Sequence, residues 1–199
     1  MFWDKVAKLY DFSETLYNGK VNLKLCKEVE DMIDAGDDVL ECACGTGMLS
    51  RHIGQKCNRL IATDYSVEML KQARKKCSSL PNVRFRKADI MRLKYKDNAF
   101  DKVVAGNVIH LLEYPYGALS ELVRVCRKGG KIIIPTYILG ENKVGESLAV
   151  RLMDKAGASF KRQFTYMDYK KFFDNAGYAA VEYKIIEGKM PCAVAVITK

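Results

Sequence analysis

The sequence predicts an α/β protein: a seven-stranded, mostly parallel doubly wound sheet, with helices on both faces and a C-terminal antiparallel hairpin. Three observations carry this. Short apolar runs at 39–42, 59–63, 83–88, 100–105 and 131–139 alternate with segments of helical period, the signature of βαβ units. Four of these runs end in polar or glycine-rich residues, as strands do when their carboxyl ends face a ligand crevice. The tail adds two strand-like runs, 179–186 and 192–198, joined by the short Glu187-Gly188-Lys189-Met190-Pro191.

In chain order, Trp3, Val6, Leu9, Tyr10, Phe12, Leu16 and Tyr17 recur near 3.6 residues, predicting one or two short amphipathic helices over 1–20. Ser13 suits the cap of the second, and Asn18-Gly19 its end. This segment is expected either to lie over the ligand crevice as a lid or simply to pack on the domain. Val21 to Ile33 reads as a helix, and Ala35-Gly36-Asp37-Asp38 as a turn. Val39 to Cys42 is the first strand. A helix from Gly47 is expected to end by Gly54. Arg59 to Thr63 is the second strand, ending at Asp64, and Ser66 caps the next helix, whose inner face is Met69, Leu70 and Ala73. Pro81-Asn82 breaks that helix. The third strand runs from Val83 through Ala88 to Asp89, and the fourth from Phe100 to Ala105, opening into Gly106-Asn107. Pro115 starts a helix with the stripe Leu119, Leu122, Val123 and Cys126, stopped by Arg127-Lys128-Gly129-Gly130. Lys131 to Leu139 is the fifth strand. Glu146 to Ala156 reads as a helix, and Thr165 with Asp168 as a capping box before Tyr169 to Ala176. No internal repeat or linker is visible, so 1–199 is expected to form one domain, with about 139–167 as a cap insertion.

Composition narrows the class. The chain has 199 residues, 49% of them hydrophobic, which excludes a disordered chain and suits one sizeable core. No apolar run approaches the ~20 residues of a membrane-spanning helix. Met1-Phe2-Trp3-Asp4-Lys5 lacks the pattern of a secretory leader, so a cytoplasmic location is expected. Seven scattered cysteines show no zinc spacing, so no metal is expected, and they read as reduced, buried thiols. The net charge is +9, much of it at Lys71, Arg74, Lys75, Lys76, Arg84, Arg86 and Lys87. A solvated basic face is the favoured reading of these residues. A nucleic-acid footprint is disfavoured, because no aromatic residues interleave the run.

Glu41-Cys42-Ala43-Cys44-Gly45-Thr46-Gly47 is the stretch around which the rest is organised. A strand, a glycine turn and a helix start in that order make a ligand-binding corner, with close backbone approach and helix N–H groups on offer. Asp64 lies at the next strand end, where a carboxylate can accept from both hydroxyls of a ribose. An NAD site places an acid similarly. Two features argue against NAD: Ser50 stands at the third glycine position, and Asp89 has no part in that fingerprint but suits an adenine amino group.

These residues resemble class I S-adenosylmethionine (SAM) dependent methyltransferases, of Rossmann-like fold. Val39 to Gly47 resembles their first motif, Asp64-Tyr65-Ser66 the second and Ala88-Asp89-Ile90 the third. Phe100 to His110 resembles the fourth, and Leu122 to Lys131 the helix-turn-strand that follows. The small quinone-biosynthesis methyltransferases are the most similar group, and Tyr10-Asp11 also fits them. The resemblance implies SAM as cofactor and an in-line displacement at its methyl carbon. Ala43, Cys44, Gly45 and Gly47 would border its methionine part, and Glu41 its ammonium group. Asp64 would take the ribose, with Tyr65 and Met69 near the adenine, Asp89 at the adenine amino group and Ile90 on the ring. The Asn107 backbone would meet the methionine amino group, and Tyr10 would border the site. His110 is the candidate base where the acceptor must lose a proton, and otherwise shapes the pocket. One position departs from the family pattern: Ala43 replaces the usual first glycine, and it is expected to sit at φ < 0. The expected activity is methyl transfer to a small molecule. The alternatives are an RNA or protein methyltransferase, against which stands the lack of an Asn/Asp-Pro-Pro-Tyr element, or a non-catalytic SAM-binding protein.

Overall fold

The computed structural model describes residues 2–139 and 163–199. In the first helix it describes the side chains of Trp3, Asp4, Ala7 and those from Asn18 onward. Helices α1 (Phe2–Asp31), α2 (Met48–Lys56), α3 (Val67–Lys76), α4 (Pro115–Val125) and α5 (Tyr166–Asn175) surround strands β1 (Asp38–Cys42), β2 (Arg59–Asp64), β3 (Val83–Lys87), β4 (Phe100–Ala105), β5 (Cys126–Tyr137), β6 (Val181–Ile186) and β7 (Cys192–Thr198). The strands form one sheet in the order β3-β2-β1-β4-β5-β7-β6. Only β7 runs antiparallel to its neighbours, pairing with β5 through Ile134↔Ala195 and with β6 through Tyr183↔Ala195. The predicted hairpin therefore slots β7 inside the sheet and leaves β6 at the edge.

Two apolar layers explain the architecture. Val39, Leu60, Ala62 and Val104 pack with Leu25 and Val29 of α1, Ile53 of α2 and Leu70 of α3. Leu40, Val103, Ile132 and Ala195 face Leu119 and Leu122 of α4 and Phe172 and Phe173 of α5 on the other side. Strands covered on both faces read as continuous apolar runs, which is why β4 and β7 carry almost no alternation. At the amino ends of the strands, buried Lys102 holds Asp37 (2.8 Å) and Asp34 (3.2 Å), so neither buried charge stands alone.

The switch point lies between β1 and β4. The chain leaves β1 toward β2 on one side and returns to β4 on the other, so the loops after these strands diverge and open a crevice.

Several expectations need correction. Phe2–Asp31 is two helices joined at a kink: Asn18 (φ −134, ψ 20) breaks the helix where Asn18-Gly19 is expected to end it, while the second helix stops at Asp31, short of the expected Ile33. Gly54 does not end α2. It lies inside the helix, where a Cβ would sit 2.6 Å from Val83 Cγ2, so it is a packing glycine. β3 stops at Lys87, short of Asp89. β5 ends at Tyr137, and β6 begins at Val181. The capping box is present, with Asp168 N donating to Thr165 Oγ1 (3.1 Å), but α5 starts directly after it at Tyr166. The predicted helix at 146–156, and most of the 139–167 cap, lie outside the described residues.

The largest revision concerns Cys126 to Gly130. Cys126 is not on the helix. It is extended (φ −71, ψ 138), and β5 begins there, alongside Phe100. The glycine pair does not cap α4; it forms an irregular corner in β5. Gly129 takes φ +74, and a Cβ on Gly130 would lie 2.6 Å from the Asp101 carbonyl oxygen. Gly130→Ala therefore forces backbone against backbone and is expected to destabilise the fold by about 2–3 kcal/mol. Gly129→Ala has open space and costs about 1 kcal/mol of left-handed strain. Urea titration of the two variants checks the order; equal midpoints contradict the close approach at Gly130.

Candidate functional site

A cavity of about 360 Å³ lies beyond the carboxyl ends of β1 to β4, within the range of small-ligand sites. Four chain segments build its walls.

The first is the turn after β1. Ala43 (φ 54), Gly45 (φ 54) and Gly47 (φ 83) are all left-handed, so the backbone folds tightly back toward α2. Gly47 caps α2 against α3, and a Cβ there would lie 3.0 Å from both Cα and Cβ of Ala73. Ala43 is the unexpected member. It was expected at φ < 0, but the turn imposes a positive φ on it, which costs an alanine about 1 kcal/mol or more. Its methyl group lines the cavity, as do Cys44, Gly45 and Thr46.

Glu41, the penultimate residue of β1, lines the cavity while only 2% exposed. Ser50 Oγ donates to its Oε2 at 2.5 Å. Burial pushes the Glu41 pKa up to about 8 against that bond, and the Asp64 charge adds to the rise. The unliganded site therefore holds a largely protonated acid at neutral pH.

The second segment follows β2. Asp64 accepts from the backbone N–H of Gly45 (2.8 Å) and of Ser66 (2.8 Å). Burial raises its pKa from the ordinary carboxylate value, and those N–H groups oppose the rise. Ser66 also caps α3, accepting from Met69 N (3.2 Å), and its hydroxyl donates to Asp4 (2.5 Å). The helix α1 is thereby fastened to the site, and Trp3 lines the cavity. Tyr65 is 56% exposed at the lip with Lys87 Nζ 5.3 Å from its ring centroid, and Met69 lines the wall from α3.

The third segment follows β3. Asp89 is exposed and lines the cavity, its Oδ1 accepting from Met91 N (2.9 Å), and Ile90 is buried beside it. The fourth follows β4. Asn107 is left-handed (φ 52), its N–H donates to Pro135 O (2.8 Å), and its Oδ1 accepts from Tyr137 N (3.0 Å). That leaves its carbonyl as the backbone group that can accept from an ammonium. Val108, Leu111 and Leu112 continue the wall without a charge.

Ten predicted residues thus line one cavity: Glu41, Ala43, Cys44, Gly45, Asp64, Tyr65, Met69, Asp89, Ile90 and Asn107; Gly47 is not on the lining and packs against Ala73 of α3. His110 is buried in a 3₁₀ turn, Ile109–Leu111, between the lining residues Val108 and Leu111 but is not itself on the lining. Burial lowers its pKa to about 4. The Tyr10 side chain lies outside the described residues. Sequence reasoning did not name Met48, Leu49, Leu111 and Leu112 as lining residues; Trp3 lies in the segment expected either over the crevice or packed on the domain, and it lines the cavity. No cluster of potential metal ligands occurs among the described residues, and all seven cysteines are buried as free thiols.

Known proteins resemble this chain in sequence and in fold. The methyltransferase domain family matches residues 40–134. The chain is 29% identical to the ubiquinone/menaquinone biosynthesis C-methyltransferase UbiE of Bdellovibrio bacteriovorus, over 77% of this chain and 75% of that enzyme. It is 35% identical to a phosphatidylethanolamine N-methyltransferase of Cereibacter sphaeroides, over 65% of this chain and 63% of that enzyme, just under two thirds of its length. Among solved structures, the methyltransferase complexed with the Trm112 activator in Haloferax volcanii superposes with a TM-score of 0.79 at 18% identity, covering 99% of this chain and 98% of that one. A SAM-dependent methyltransferase of Methanococcus maripaludis superposes at 0.73 with 20% identity, covering 100% and 94%.

Two outcomes follow from the turn. Ala43→Gly removes the left-handed strain but loosens the unfolded chain, so a net gain of about 0.5 kcal/mol is expected; a loss of melting temperature contradicts strain at Ala43. Glu41 has a folded pKa raised above its unfolded value. Its stabilising contribution is present below pH 4.5 and is lost as pH rises through about 8. Glu41→Gln should therefore become more stable than the parent by a few kcal/mol between pH 4.5 and 8, measured without ligand. Parallel stability–pH curves contradict the burial penalty.

Proposed function

The chain belongs to the class I SAM-dependent methyltransferases, and from that membership we propose that it methylates a small, uncharged, lipophilic acceptor. One observation carries the acceptor class. The acids of the cavity come from the ends of β1, β2 and β3, while the opposite wall after β4 is Asn107, Val108, Leu111 and Leu112. The charged half suits the cofactor, and the neutral half suits an apolar partner.

The residues fit SAM. Glu41 is a buried acid in a largely apolar cavity, which calls for a cationic partner, and the methionine ammonium supplies one. Asp64 is fixed by two backbone N–H groups, so its remaining lone pairs are presented rigidly to the two ribose hydroxyls. Asp89 and Ile90 suit the adenine amino group and ring, and the exposed Tyr65 can cover them. SAM supplies an electrophilic methyl group on a sulfonium centre. The chain supplies orientation and exclusion of water, which together can lower a barrier by about 7–11 kcal/mol. His110 is neutral throughout the physiological range, and its low basicity suits the wall of the pocket better than proton abstraction.

The relatives support the lipophilic part of this reading: one is named for ubiquinone and menaquinone biosynthesis, and the other for phosphatidylethanolamine, a lipid whose headgroup is charged.

Calorimetry with SAM tests the cofactor half. Asp64→Ala should weaken binding at least tenfold, since charge-assisted hydrogen bonds contribute about 1.5–3 kcal/mol each. Binding at pH 7 should also release a proton as Glu41 ionises, seen as a dependence of the heat on buffer ionisation. Unchanged affinity in Asp64→Ala defeats the ribose assignment. Turnover of a quaternary or anionic acceptor in preference to neutral lipophilic ones defeats the acceptor class.

A further inference from the structure

The net charge of this protein is not spread over it. Residues 51–96 contain thirteen Lys and Arg against Asp64, Glu68 and Asp89, a balance of +10, while the remaining residues sum to −1. The fold gathers the later part of this segment, from α3 onward, at one edge. β3 is the terminal strand of the sheet on that side, and α3 packs against it. The β3–β4 connection follows directly.

Arg84, Arg86 and Lys87 are exposed on β3, Lys71, Arg74 and Lys75 on α3, and Arg92, Lys94 and Lys96 on the connection. Arg74 reaches across to the Phe85 carbonyl (3.1 Å), so the helix and strand cations are contiguous. Lys71 pairs with Glu68. Among the described residues, no acid lies within ion-pair distance of Arg74, Lys75, Arg84, Arg86, Lys87, Arg92, Lys94 or Lys96. A row of unneutralised like charges raises the energy of the isolated protein and has an anionic complement.

The edge adjoins the cavity. Lys87 lies over the Tyr65 ring at the lip, and Tyr65 and Val67 are 56% and 43% exposed there. Tyrosine and valine between lysines suit the headgroup boundary of a bilayer, where an aromatic ring sits with its polar tip wet. A polynucleotide would find cations here but no aromatic platform along the run, since the segment's exposed ring is Tyr65 alone among the described residues.

We propose that the β3 edge, with the outer face of α3 and the β3–β4 connection, docks this protein on anionic phospholipid surfaces with the cavity lip at the membrane. The docking rests on the charge distribution. That it brings a lipophilic acceptor to the cavity rests on the function proposed above.

The test uses the full chain and vesicles of phosphatidylcholine with 30% phosphatidylglycerol, read by co-sedimentation. Each cation near an anionic surface contributes about 1 kcal/mol. The variant Lys75→Glu/Arg86→Glu/Lys94→Glu is therefore expected to bind these vesicles at least a hundredfold more weakly. Its affinity for SAM should be unchanged, which shows that it is folded. Lys20→Glu/Lys24→Glu/Lys27→Glu on α1 changes the net charge equally and should retain most vesicle binding. An equal loss in both variants overturns the proposal, because net charge alone then suffices. So does the absence of binding by the parent protein at 100 mM salt. A third overturning result is an edge-dependent affinity for a duplex RNA tenfold or more above that for the vesicles. Vesicle binding is read without methyl transfer, so failure of the acceptor assignment leaves this result intact, and the reverse also holds.

Discussion

The Asp64 carboxylate is the point on which the site depends. One oxygen holds the Gly45 N–H of the turn after β1, and the other holds the Ser66 N–H at the start of α3. Ser66 passes the connection on, capping α3 and donating to Asp4 of α1. Three elements distant in sequence are thereby held in one frame by a single half-buried carboxylate. The bonds are charge-assisted and lie partly out of water, where such bonds are strongest. Burial is the main cause of the raised Glu41 pKa, and the charge of the same Asp64 carboxylate adds to it.

Much of this was legible in the sequence because the fold repeats a local rule. An apolar run ending in a polar residue, followed by a helical period, marks each βα unit, and the parallel order brings those polar ends to one side. Glu41, Asp64, Asp89 and Asn107 could be assigned on that basis alone. The failures share a different origin. Gly129-Gly130 reads as a helix stop because glycines usually end helices; here the nearby Asp101 carbonyl demands a residue without a Cβ. Gly54 fails in the same way, since its packing against Val83 is a tertiary contact. Trp3 belongs to the segment expected either over the crevice or packed on the domain; local pattern could not choose, because the end of that segment is held by a bond between Asp4 and Ser66, 62 residues away. Local pattern reports local structure, and glycine is the residue whose purpose is most often non-local.

Ala43 shows how function and local preference compete. Three non-glycine residues among those described take a positive φ: Ala43, Asn98 and Asn107. Asparagine tolerates that region, while alanine does so only under constraint. Two of the three stand at the ends of β1 and β4, facing each other across the switch point. Strain confined to that place indicates that the backbone there is shaped by what it must approach.

Glu41 belongs to the same economy. A buried acid with a pKa near 8 opposes folding whenever it is ionised, and a glutamine in its place would relieve that opposition. A cation bound beside it reverses the sign. The carboxylate that was unfavourable in the free protein then becomes half of a desolvated ion pair. On the proposed reading, the free protein's loss and the complex's gain arise from one group. The basic edge at β3 repeats this logic on the surface, where cations crowded without acidic partners also destabilise the protein alone.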